Sequence, residues 1–147
     1  MIGGSRVVKS RAQSLVEFAL ILPILIFLIT AFLDLGRAVY YYVALSNAVR
    51  EGARAAVVMQ VGTTTTEQNA YRTAIQNKVI EKAIALESAK LTVTVTLPTK
   101  ATRIVQVAGS YIFDPITPGV KQILGAGNTI TLSSQSAMQV APLVKLN

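Results

Sequence analysis

The sequence predicts an α+β protein: a long N-terminal membrane-spanning helix that continues as an amphipathic stalk, a second helix, and then a small antiparallel β-sheet of about three strands. Three observations lead there. Leu15 to Leu33 is almost wholly apolar, apolar residues between Leu35 and Leu86 recur at intervals of three and four, and from Leu91 the period changes to two.

The first element is the most constrained. Phe18 to Leu33 holds no formal charge, and Leu15 to Leu33 is 19 residues long if Glu17 is admitted. At about 1.5 Å per residue the longer run covers about 28 Å, close to the hydrocarbon thickness of a bilayer. A cleaved secretory signal has a shorter apolar stretch and a prompt small-residue cleavage site, whereas this run passes into Asp34, Gly36 and Arg37. It therefore reads as an anchor. Arg6, Lys9 and Arg11 precede it without an acid among them, which under the positive-inside rule sets the N-terminus on the cytoplasmic side and the rest outside. The expected division is a basic segment at 1–12, a transmembrane helix at 13–33, and a stalk with an extracytoplasmic α+β body at 34–147.

Helical character runs past Leu33, since no proline interrupts DLGRAVYYYVALSNAVREGARAAVVMQ. Leu35, Val39, Tyr42, Val49 and Ala56 form one stripe expected to pack on the body. Ala44, Ala48, Gly52 and Ala56 fall four apart, a row of small residues that lets another backbone approach. Tyr40, Tyr41 and Tyr42 stand near the membrane exit and cannot all face one way, so at least one belongs to a core. Gly62 and the four threonines after it end the helix. Glu67 to Leu86 forms the second one, with Thr66 as N-cap and Ile75, Val79, Ala83 and Leu86 on its packing side.

Strand character follows. Leu91, Val93, Val95 and Leu97 alternate with threonines until Pro98, and Arg103 to Phe113 places Val105, Val107, Tyr111 and Phe113 on one face with a bulge expected at Gly109. DPITPGVKQILGAGN reads as a loop with room for a helical turn, and Thr129 to Val140 as the third strand. One sheet face should be covered by helix and the other threonine- and serine-rich and wet.

Composition removes several function classes. The 147 residues suit one module with appendages, and neither Cys nor His occurs. That takes away the usual general base, thiolate chemistry and transition-metal ligands, so no enzyme, cofactor or metal site is expected. The seven carboxylates form no paired or EF-hand pattern. Ser133, Ser134 and Ser136 have no base to activate them, and the glycines of GAG at 125–127 do not open a helix after a strand. The net charge of +7 is partly the basic N-terminal segment, and the other cations are scattered, which speaks against nucleic acid as a partner.

The motif sequence then resembles a known family. Ala12, Gln13, Val16, Glu17, Phe18, Ala19 and Leu20, then Pro23 within the apolar run, then Asp34, Gly36 and Arg37, then Gly52, Ala53 and Arg54, resemble the TadE-like family of pseudopilins from tight-adherence (Flp-type) type IV pilus systems. The resemblance covers residues 11 to 56 and implies a type IV pilin-like architecture. It also implies a leader of 12 residues removed between Ala12 and Gln13 by a prepilin peptidase, where the family usually has glycine at the position of Ala12. Gln13 and Glu17 are one helical turn apart, so an amino group freed at Gln13 and the Glu17 carboxylate could neutralise one another, within a subunit or between neighbours, in an apolar surround that disfavours an unpaired charge. Pro23 would kink the helix.

The resemblance implies further that this is a pseudopilin or minor pilin subunit. It would be held in the inner or cytoplasmic membrane, then incorporated into, or priming assembly of, an extracellular pilus used in adherence. Its partners would be copies of itself or other pilins, the peptidase, an inner-membrane assembly platform and the lipid bilayer. Two other readings stay open: an uncleaved single-pass scaffold of a secretion or assembly complex, and a surface-anchored binding module using the wet sheet face or the 114–128 loop.

Overall fold

In the computed structural model, which describes residues 5–99, 101–117, 120 and 129–140, the long apolar run and the stalk form one unbroken helix. This helix, α1 (Ser5–Val58), has 54 residues and so extends about 80 Å. A second helix, α2 (Thr65–Lys82), and a short 3₁₀ turn at Ser88–Lys90 lead to three strands, β1 (Leu91–Thr96), β2 (Ile104–Phe113) and β3 (Ile130–Gln139). They form one antiparallel sheet in the order β1-β2-β3, with both helices on one face. The fold is the α+β arrangement expected from the sequence.

Only the upper part of the expected stripe docks, through Val49 and Ala56. Leu45, Ala48, Val49, Gly52, Ala53 and Ala56 are buried, whereas Leu35, Val39 and Tyr42 are exposed at 60%, 55% and 47%. Between residues 35 and 56 apolar side chains occur on several sides of the helix, so periodicity alone did not choose among them. The body takes the side that carries the small residues, where backbones can approach, together with Leu45 and Val49.

The first turn of α2 also differs from expectation. The N-cap is Thr64, not Thr66, because Glu67 closes a reciprocal capping box with it: the Glu67 amide donates to Thr64 Oγ1, and the Thr64 amide donates to Glu67 Oε2 at 3.0 Å. With four threonines in a row, the position of the glutamate sets which one caps. The helix ends at Lys82, before Leu86, yet Ala83 and Leu86 remain buried beyond it. Tyr71 donates its hydroxyl to the Ala56 carbonyl at 2.7 Å, filling one of the acceptors left open in the last turn of α1. Gln76 donates to the Val93 carbonyl at 2.9 Å and ties α2 to β1.

No bulge forms at Gly109, which pairs regularly with Val93 and with Ser134. Its role is close approach: a methyl group there would lie 2.8 Å from Val49 Cγ2 and 2.9 Å from Leu45 Cδ1, so α1 lies almost directly on the strand. Val95, Val105, Val107, Tyr111 and Phe113 complete the core on this side. Thr92, Thr94, Thr96, Thr131, Ser133 and Gln135 are exposed on the other face, while Ser134 and Ser136, in register with Gly109 and Val107, are half-buried. Most of the segment between β2 and β3, including the expected helical turn and the GAG glycines, lies outside the described residues.

Candidate functional site: the apolar helix and its anchor to the body

From residue 12 to residue 29 every side chain of α1 is exposed. Leu20, Ile24 and Phe32 are 70%, 62% and 71% accessible, and no residue of the most apolar window is buried. Each such side chain left in water forgoes about 1.5–3 kcal/mol, so this surface requires an apolar surround. The helix is long and apolar enough to cross a membrane, and its backbone bonds are satisfied internally as a bilayer demands. Two features modify that statement. Pro23 has no N–H, so the Ala19 carbonyl lacks its usual helical partner. The Thr30 hydroxyl bonds back to the Ile26 and Phe27 carbonyls, both at 3.0 Å, and brings no unsatisfied donor into the apolar stretch.

Glu17 meets Gln13 across one turn. The Gln13 side-chain amide donates to Glu17 Oε1 at 3.2 Å, and both residues are exposed together with Ala12. The spacing thus brings the two onto one face of the helix in the intact chain.

Where the apolar stretch ends, a cluster of polar contacts fastens α1 to the body. Asp34 is the first residue after Leu33 and is 7% exposed. Its carboxylate accepts from the backbone amides of Ile116 (2.8 Å) and Thr117 (2.7 Å), from the Thr117 hydroxyl (2.6 Å) and from Arg37 Nη1 (2.9 Å). Burial alone would raise the pKa of this carboxyl group, but the bonds from Thr117, Ile116 and Arg37 outweigh it and hold it below its ordinary value. The Arg37 guanidinium lies 5.7 Å from the Tyr41 ring centre and 5.4 Å from that of Phe113, within cation–π range. Tyr41 packs edge-on against Tyr111 and Phe113, so it is the tyrosine of the three that joins the core, while Tyr40 and Tyr42 stay exposed. This cluster binds the end of β2 to the helix just where the helix leaves its apolar section.

Farther up, Ala48, Gly52 and Ala56 are buried and Ala44 is half-buried. Gly52 marks the closest crossing with α2, since a methyl group there would overlap Val79 Cγ2. Ala53 is fully buried, Arg54 is exposed and reaches Glu51 at 3.4 Å, and Gly36 has open space beside it.

The arrangement has the means to anchor and orient, and among the described residues it brings together no three Asp or Glu that could hold a metal. A cavity of about 580 Å³ is lined by hydroxyls and amides of the sheet with Tyr42 and Arg50, and no carboxylate lines it. The partners of Asp34 across the fold, Ile116 and Thr117, are not legible in the sequence. Its pairing with Arg37 at i,i+3 is visible in sequence, but Ile116 and Thr117 contribute mainly backbone donors, which leave no trace in residue type.

Residues 12–54 match the family model described as TadE-like protein, in agreement with the resemblance seen in the sequence. No curated protein and no solved structure matches the chain. The matched segment comprises the apolar helix from Ala12, the Asp34 anchor and the lower part of the packing face. Over residues 12–54 the chain is thus similar to TadE-like proteins, and the same segment holds a helix whose length and composition suit a membrane span.

Proposed function

We propose that the chain is a pseudopilin or minor pilin subunit of a Tad/Flp-type type IV pilus, stored in the inner or cytoplasmic membrane through α1 and transferred by that helix into a pilus assembly. The observation that supports this best is the bare apolar helix, whose exposed side chains need lipid before assembly and neighbouring helices after it. The match of residues 12–54 to a pilus-associated structural family points the same way and away from catalysis.

In this reading a prepilin peptidase cuts between Ala12 and Gln13 on the cytoplasmic side. The new amino group then lies one turn from Glu17 and takes the place of the Gln13 amide as its partner, on the same subunit or on the next in the stack. Pro23 frees a carbonyl in the middle of the packing helix, where a bend adapts the rod to its neighbours. Asp34, Arg37 and the small-residue row hold the body at a fixed angle to the helix during transfer.

Cell fractionation combined with variants tests this. Wild type should occur in both membrane and sheared pilus fractions, and Glu17→Leu should remain in the membrane. Wild type confined to the membrane would favour an uncleaved scaffold, and Glu17→Leu entering pili as well as wild type would remove the pairing role. Loss of adherence with pili intact, on deletion of the 114–128 loop, would favour a binding module.

A further inference from the structure

Ile116 is 71% exposed and sits beside the membrane helix, not out in the body. Its amide is fixed to Asp34 Oδ2 at 2.8 Å, and its side chain lines a small apolar recess of about 210 Å³ with Thr30, Leu33, Asp34 and Arg37. Thr30 and Leu33 belong to the stretch that the bilayer must cover, and from Thr30 to Arg37 the helix residues of the recess span about 10 Å of rise. A side chain that shares this recess lies where the apolar stretch gives way to charged residues. If α1 spans the bilayer, Ile116 is therefore at the upper edge of the hydrocarbon.

We infer that the Ile116 loop is a second membrane contact: the body rests on the bilayer surface with Ile116 inserted among the lipid chains beside Leu33. This rests on the reading of α1 as a spanning helix. The neighbouring groups agree with it. Tyr40 and Tyr42 are exposed just above, where amphipathic rings favour the headgroup layer. Asp34, which would otherwise bring a bare carboxylate to the edge of the hydrocarbon, is covered by the amides of the same loop that carries Ile116. The loop thus shields the charge and supplies an apolar side chain to lipid at one place. Extraction of the subunit must then withdraw Ile116 as well as the helix.

The chain contains no tryptophan, so single substitutions report cleanly. Full-length Ile116→Trp, Leu33→Trp, Phe27→Trp and Thr96→Trp would be reconstituted in phosphatidylcholine vesicles with bromines near the top of the acyl chains. Thr96 is exposed on the open sheet face near the far end of the sheet and serves as the water reference. Ile116→Trp should be blue-shifted and lose emission nearly as Leu33→Trp does, while Thr96→Trp loses none. Emission at Ile116→Trp that is unquenched overturns the inference, whether red-shifted as in water or blue-shifted by contact with a second copy. If Phe27→Trp and Leu33→Trp are also unquenched, the spanning-helix reading fails together with it.

Discussion

The Thr117 hydroxyl and the Asp34 carboxylate, 83 residues apart in the chain, meet at 2.6 Å at the base of the body. This bond and the two backbone amides beside it fasten the lower end of the body to α1, below the packing of Leu45 to Ala56. Removing the acceptor should therefore affect stability out of proportion to one side chain. Asp34→Ala leaves the Ile116 and Thr117 amides without a partner and is expected to cost about 2–4 kcal/mol, read from denaturant melts of the full chain in detergent. Thr117→Val, which keeps the amide bond, should cost less.

The same carboxylate gives a pH dependence of known sign. Its pKa is depressed in the folded protein, so its contribution is complete above the ordinary value of 3.8 and is lost as pH falls through the lower folded value. Acid titration followed by near-ultraviolet circular dichroism of the tyrosines should show the base of the body loosening below pH 3.8. In Asp34→Asn that acid limb should be shallower.

Gly52 tests the helix crossing. Gly52→Ala places a methyl group against Val79 and should destabilise by about 1–3 kcal/mol through overpacking. Adding Val79→Ala should recover part of that loss, so the two changes should be non-additive in a double-mutant cycle.

The capping register of α2 can be separated by two substitutions. Thr64→Ala should cost about 1 kcal/mol, because it removes the hydroxyl that receives the Glu67 amide. Thr66→Ala, inside the first turn, should change stability by no more than about 0.5 kcal/mol. Equal effects would contradict the capping box.

How far the sequence could be read depended on whether a feature was local. The apolar run, the change of period at Leu91 and the alternation through Val105, Val107, Tyr111 and Phe113 are local, and these elements formed where expected. The docking face of α1 was legible in the small-residue row and in Val49 and Ala56, but the exposure of Leu35 and Val39 was not, because they look as apolar as Leu45 and only the position of the sheet distinguishes them. Gly109 shows the same limit: a bulge and a close helix crossing both call for glycine, and only the register with Val93 and Ser134 decides between them. Asp34 stood out as a charge at the end of an apolar run, yet its purpose depended on the Ile116 and Thr117 amides, just beyond the end of β2.

In the proposed function, α1, shortened to start at Gln13, carries this chain from a membrane into a pilus. The most direct measurement is mass spectrometry of sheared surface filaments and of the membrane fraction from cells expressing the native protein. Filaments should contain the chain, with Gln13 as its first residue there. Filaments that lack the chain, or contain it with residues 1–12 still attached, would contradict it.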